Sequence, residues 1–328
     1  MQMTAEDARR DGADLDPDIR RFMDITAAAY AEHPALDGLP LPEARQVFEA
    51  VRTRWRTGGP VMAATLDDRW PTRHGQVRVR VHRPTEAGPG PAPALVYLHG
   101  GGWTIFSIDT HDRLMREYAA RAGVVVVGVD YALSPEARFP VALEQVLDVV
   151  DALRRDGASV GVDPERLAIG GDSAGGNLSL AAALALRDGG AGEVLSGLLL
   201  NYPVLDRHVA AADGDRFGGP AYMLSVDEME TFWANYLSRP QDADDPLANP
   251  ARAELAGLPP VFLTIAECDV LAGQGHAAAA RLVAAGVPVE ARVYAGASHS
   301  FLEAVSIAPL AERALAEGAA WLRARLAP

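Results

Sequence analysis

The stretch RLAIGGDSAGG, residues 166–176, decides how this chain is read. An apolar run ends at Gly170, a helical pattern opens at Ala174, and Gly171-Asp172-Ser173-Ala174-Gly175 lies between them. A side chain on so sharp a strand-to-helix turn has strained backbone angles and no lateral room, so the positions two before and two after it must be small. Gly171 and Gly175 meet that need, and the turn raises the Ser173 hydroxyl above a sheet as a candidate nucleophile. A glycine-rich turn ahead of a helix would look the same in isolation, so the flanking sequence has to discriminate.

Outward from this turn, strand and helix patterns alternate. Upstream, Ala94-Leu-Val-Tyr-Leu98 is a continuous apolar run bounded by turn residues, as suits a fully buried strand. It is followed by a predicted helix at 109–122, a strand at 124–129, a helix at 140–154 and the strand at 166–170. Downstream come helix 174–187, strands 194–201 and 260–266, helix 271–285, strand 288–294 and helix 304–326. Strands too apolar for one-sided burial predict an α/β fold, a mostly parallel central sheet flanked by helices. Earlier in the chain, Val77, Val79 and Val81 alternate with Arg78, Arg80 and His82, the pattern of an antiparallel edge strand wet on one face. Two amphipathic helices are expected first, at 18–32 (Ile19, Phe22, Ile25, Ala29) and 42–56 (Val47, Phe48, Val51, Trp55). The beat breaks once, between Leu200 and Pro260, where polar loops at 206–219 and 239–250 flank a helical stretch at 226–237. That position, at the C-terminal end of a strand, is where open α/β sheets bind ligands.

Composition narrows the chemistry. Across 328 residues the net charge is −14, which disfavours nucleic acid and anionic membrane surfaces as partners. All 30 basic residues are arginine, which excludes Schiff-base and P-loop lysines and suggests a GC-rich bacterial genome. The lone Cys268 excludes an intramolecular disulfide and two-thiol metal motifs, as expected in a reducing compartment. The first residues carry charges of both signs with no apolar core, and stretches such as 180–186 fall far short of the roughly 18 residues of a membrane span. The expectation is a soluble, cytoplasmic protein.

The second chemical signal is His99-Gly100-Gly101-Gly102-Trp103, directly after the buried strand. A tetrahedral intermediate concentrates charge on one oxygen, and each preorganised N–H donor stabilises it by roughly 3–4 kcal/mol. Consecutive glycines let the backbone approach that oxygen; the expected donors are the amides of Gly101, Gly102 and Ala174. His99 itself reads as a structural loop residue. A serine hydroxyl needs a base held by a carboxylate, in the chain order serine, acid, histidine. His276 falls inside a helix, whereas His299 follows the last strand and is the expected base. Asp269, past the strand at 260–266, is the expected acid. Glu267 is the fallback, with a loop-anchoring role otherwise, and Cys268 reads as a half-buried structural thiol. Asp245 in Asp245-Pro246-Leu247 precedes that strand and reads as a turn residue.

HGGGW at 99–103 with GDSAGG at 171–176 resembles the hormone-sensitive-lipase-like bacterial esterases of the α/β hydrolase superfamily. Residues 130–136 (DYALSPE) with Phe139-Pro140, and 222–237 (YMLSVDEMETFWANYL), are similar to further family segments. The resemblance implies an N-terminal helical cap segment at 1–60, a catalytic domain at 61–205 and 251–328, and a cap insertion at 206–250. It implies hydrolysis of short- to medium-chain acyl esters without cofactor or metal, with Ser173, Asp269 and His299 as triad. The chain departs from the family at Ala132, where arginine is common, at Val270 after the acid, where proline is usual, and at Ser300 after the base, where glycine is usual. Phe217, Tyr222, Phe232, Trp233 and Tyr236 concentrate aromatic surface in the insertion. Trp103, Tyr222, Phe232 and Trp233 are the candidate pocket wall. Two other readings share these motifs: a binding protein that has lost catalysis, and an amidase, thioesterase or acyltransferase acting on a natural-product intermediate. The strand at 288–294 is expected at a sheet edge, where pairing would give a homodimer.

Overall fold

The computed structural model describes residues 14–36 and 38–327. Residues 1–13, Asp37 and Pro328, which the expected segments include, lie outside the described residues. The described strands β1 (Ala64–Thr72), β2 (Gly75–Arg83), β3 (Ala92–Leu98), β4 (Val125–Asp130), β5 (Val162–Asp172), β6 (Leu195–Asn201), β7 (Val261–Cys268) and β8 (Val289–Ser298) form one sheet of order β1-β2-β4-β3-β5-β6-β7-β8. β2 runs antiparallel to both neighbours, and the remaining pairs are parallel. From β3 the order steps to β4 on one side, then crosses back to β5 on the other. The C-terminal ends of β3 and β5 therefore flank the topological switch point, the crevice where such sheets bind ligands. Those ends carry residues 99–103 and Ser173.

Helices α1 (Pro17–Ala31) and α2 (Leu41–Arg56) precede the sheet, and α3 (Asp112–Ala122), α4 (Val141–Asp156) and α5 (Ala174–Asp188) follow β3, β4 and β5. The long connection after β6 holds α6 (Ala211–Phe217) and α7 (Val226–Tyr236); α8 (Ala272–Ala284) follows β7, and α9 (Pro309–Arg325) closes the fold. The two-residue period of β6 shows both faces covered. Gly197 faces Trp321 of α9, while Leu200 lies beside Leu180 of α5 and Leu282 of α8. Local chemistry marks the ends of the early helices and the insertion helix. Asp16 caps α1 by accepting from the amides of Asp18 and Ile19, and Ser225 with Glu228 forms a capping box on α7.

Several expected boundaries change. β2 is antiparallel as its alternation indicates, yet it is not the edge, because β1 pairs outside it through a hairpin around Arg73 and His74. β1 is almost wholly exposed and carries no apolar alternation. Its register comes from the backbone ladder, and Asp67 accepts from both Arg78 and Arg80 across the pair. The polar loop at 206–219 contains α6, and the helix expected at 304–326 divides into a 3-10 turn, Phe301–Ser306, and α9, which starts at Pro309.

The tightest packing in the sheet lies behind Ser173. A Cβ on Gly171 would sit 2.1 Å from the Leu98 carbonyl oxygen, and one on Gly175 only 1.9 Å from the same atom. Backbone meets backbone there, so no rotamer change can relieve a clash. Gly175→Ala is expected to cost about 3 kcal/mol, at the upper end of overpacking penalties, read as a lowered urea midpoint; a midpoint equal to wild type would show that β3 and α5 can separate.

Candidate active site

Ser173 sits between β5 and α5 with φ 53° and ψ −117°, a conformation that L-residues avoid. The surroundings hold it there. Its N–H donates to the Asn201 carbonyl at 2.9 Å, and its own carbonyl accepts from the amides of Asn177 (3.1 Å) and Val204 (3.2 Å). His299 follows β8, and its Nε2 lies 2.9 Å from Ser173 Oγ. On the other side of the ring, Nδ1 lies 2.7 Å from Oδ2 of Asp269, whose Oδ1 accepts from the Leu271 amide at 3.0 Å. With Nδ1 protonated toward the carboxylate, Nε2 is free to accept the serine proton. All three side chains are buried.

The glycine loop faces this line. Gly101 and Gly102 have φ of 108° and 54°. A Cβ on Gly101 would meet the Ile105 carbonyl oxygen at 2.2 Å, and one on Gly102 the Phe232 ring at 2.2 Å. Ala174 opens α5, and first-turn amides have no partner inside their own helix. Asp172 ties loop to elbow: its Oδ1 accepts from Tyr97 Oη (2.7 Å) and the Gly100 amide (3.2 Å), and its Oδ2 lies 3.2 Å from His111 Nε2. Burial disfavours the Asp172 carboxylate, but the charge of His111 and the hydrogen bonds from His111 and Tyr97 outweigh it and hold its pKa below the ordinary value. Burial likewise disfavours charge on His111, yet Asp172 raises its pKa. His99 also feels Asp172 and has the Gly100 carbonyl oxygen 2.7 Å from its Nδ1, but these do not prevail. Its ring stacks on Tyr131 with centroids 4.3 Å apart, and burial, with repulsion from His111, pushes its pKa down to about 3.

A cavity of about 240 Å³ opens onto Ser173, His299, Gly101 and Gly102. Trp103 and Phe232 line it. Tyr222 and Trp233 do not, which corrects the expected wall: Tyr222 packs edge-on against Phe217 at 5.3 Å, and Trp233 turns inward, 4.8 Å from Trp103. Met223, Leu224 and Met229 take their places, and Tyr30, Phe48 and Arg52 enter the wall from the N-terminal helices. Phe48 belongs to the apolar stripe legible in the sequence; Arg52 gives no local signal. A larger cavity of about 420 Å³ lies between α5, α8 and the insertion and includes none of the candidate catalytic residues.

Other sequence expectations resolve locally. Glu267 accepts from the Gly296 amide at 3.0 Å, anchoring a loop, and Asp245 accepts from the Leu247 amide at 2.8 Å, as a turn residue does. His276 is exposed on α8. The Cys268 thiol is buried, and that burial pushes its pKa up to about 12. Around Val270 the chain turns with the Ala272 amide donating to the Asp269 carbonyl at 3.0 Å. Ser300 adopts φ 60°, the left-handed region where glycine is at ease, and lines the cavity. Near Ala132, Arg45 of α2 reaches Glu136 and the carbonyl oxygens of Ser134 and Thr104. Among the described residues no cluster of three or more His, Cys, Asp or Glu side chains forms a metal site, and no helix is long and apolar enough to cross a membrane.

Comparison with known proteins agrees with this architecture. The sequence profile of the alpha/beta hydrolase fold matches residues 95–303. The ethyl acetate hydrolase of Pseudomonas putida is 35% identical over 308 residues, spanning 92% of this chain and 96% of that protein. An ester hydrolase from the metagenome of Lake Arreo, solved with a bipyridine phosphonate derivative, superposes with a TM-score of 0.89 at 32% identity, covering 96% of this chain and 100% of that one. A thermophilic and thermostable carboxylesterase cloned from a metagenomic library gives a TM-score of 0.84 at 34% identity over 88% of this chain and 99% of that one.

The depressed pKa of His99 has a measurable consequence. Between about 3 and the unfolded value of about 6.5, the unfolded chain binds more protons at this residue than the folded one. Stability therefore rises with pH across that window and is lost on acidification, by up to about 1.4 kcal/mol per pH unit from this group. Thermal midpoints measured from pH 7 to pH 4 should fall more steeply for wild type than for His99→Asn; parallel profiles would show that His99 titrates normally.

Proposed function

Because the chain belongs to the α/β hydrolase fold family, in its hormone-sensitive-lipase-like esterase branch, we propose that it is a serine carboxylesterase working through an acyl-enzyme. The carrying observation is the buried line from Ser173 Oγ through His299 to Asp269, facing a cavity at the sheet's switch point. In this reading Ser173 Oγ attacks the ester carbonyl while its proton passes to His299 Nε2. The carbonyl oxygen takes negative charge and accepts from the amides of Gly101, Gly102 and Ala174. Collapse breaks the bond to the alcohol oxygen, which leaves with the proton from His299, and the acyl group stays on Ser173. Water then attacks by the same route and releases the carboxylic acid. Asp269 holds the imidazole tautomer and stabilises the imidazolium.

The substrate follows from the space. A cavity of about 240 Å³ falls below the ~300–1,000 Å³ typical of sites for drug-sized ligands, which supports short acyl esters over long ones. Its wall is largely apolar, with Phe232 closing over Gly102, so small uncharged esters fit best. The esterase activities of the relatives favour oxygen esters over amides and thioesters. The β8 edge bears half-exposed Val293 and supports pairing of two copies; light scattering should then give twice the mass of one chain, and a single-chain mass would remove that assignment.

The function is tested by profiling nitrophenyl esters of increasing acyl length beside an amide and a thioester. The expected outcome is highest kcat/KM on short acyl esters, falling as the acyl chain lengthens, with Ser173→Ala lowering kcat by about 10⁴- to 10⁶-fold. No turnover of any short ester, or more than about a tenth of wild-type activity in Ser173→Ala, would overturn the reading.

A further inference from the structure

One face of α2 grips both halves of the site. Arg45, Phe48 and Arg52 stand three, four and seven residues apart, the spacing of a single helical stripe. Arg45 donates to the carbonyl oxygens of Thr104 and Ser134, at the glycine loop's exit. Phe48 meets the Phe106 ring edge-on at 5.7 Å. Arg52 forms an ion pair with Glu303, four residues beyond His299, and its guanidinium also lies 4.5 Å above the Phe106 ring. Phe106 in turn covers Gly101, where a Cβ would come within 2.8 Å of the ring. One guanidinium thus joins a cap helix, the loop carrying His299 and the cover of the glycine loop.

The pair is buried on both sides, each side chain about 4% exposed. Charges so placed add little net stability over apolar residues of similar volume, because desolvation offsets their attraction, whereas removal of one partner strands a buried charge. Such a pair is better suited to fixing one geometry than to raising stability. Arg52 also lines the cavity, so the element that sets the geometry touches the space the substrate fills.

We propose that Arg52 and Glu303 are positioning residues that couple the seating of α2 to the alignment of His299 and the glycine loop. When α2 is seated, Glu303 fixes the 3-10 turn after His299 and Phe106 presses the glycine loop into place; when α2 lifts, both lose their support. This rests on His299 acting as the base. Its failure is separable, since wild-type ester turnover and its loss in Ser173→Ala test the base assignment, while the variants below are read only relative to wild type.

The test compares wild type with Arg52→Lys and with the double variant Arg52→Met/Glu303→Met, which replaces the pair by apolar side chains and leaves no stranded charge. The double variant should fold with a thermal midpoint at or above wild type, yet lose about 10- to 100-fold in kcat, the scale of a small misplacement in the site, with KM changed less than about threefold. Arg52→Lys, which keeps the charge but not the planar fork, should fall between. A folded double variant with kcat within about twofold of wild type would overturn the proposal, making the pair only structural. A rise in KM at unchanged kcat would overturn it too, making Arg52 only a wall contact.

Discussion

Behind Ser173 two stretches of backbone stand closer than any side chain would allow. The Leu98 carbonyl oxygen faces Gly171 and Gly175 at distances that leave no space for a methyl group. That approach lets β3 and β5 deliver their ends to the same point, the glycine loop from one strand and the serine turn from the other. It also forces the turn to be sharp, which places Ser173 at positive φ. The strain is held by hydrogen bonds to Asn201, Asn177 and Val204, and by Asp172, which spans from the elbow to Gly100. That contact brings Gly101, Gly102 and Ser173 to the wall of one cavity.

Electrostatics complete what packing begins. The site holds buried charge in pairs: Asp172 with His111 beneath the glycine loop, Glu303 with Arg52 beside the loop that carries His299. His99 lies among them and is kept neutral by burial. The residues that would move protons thus rest on a scaffold whose own charges are already matched, and the cavity above them is bounded mainly by apolar side chains. Under the proposed function small uncharged esters suit such a space; a charged one would be desolvated against a wall whose charged side chains are Arg52, already paired with Glu303, and Glu228.

The central sheet was legible because β3 to β7 are buried on both faces and read as apolar runs between turn residues. The glycine-flanked Ser173 and the run at 100–102 were legible because only glycine satisfies those backbone positions. β1 was not, since its residues face water and its register comes from backbone pairing with β2 rather than from any alternation of its own. The cavity wall was half legible. Aromatic density drew attention to the insertion, but density does not say which way a ring turns, and Trp233 turns inward at a tilt to Trp103 while Phe232, its neighbour, faces the cavity. Arg52 was invisible for a different reason: its partner Glu303 lies 251 residues away, and the pair exists only once α2 has docked.

The proposed mechanism requires Ser173 and three amides to converge on one oxygen. Its most direct test is a crystal structure of the chain after reaction with a fluorophosphonate. The expected result is phosphorus bonded to Ser173 Oγ, with a phosphonyl oxygen about 2.7–3.1 Å from the amide nitrogens of Gly101, Gly102 and Ala174. An unlabelled Ser173, or an adduct whose oxygen turns away from those amides, would contradict it.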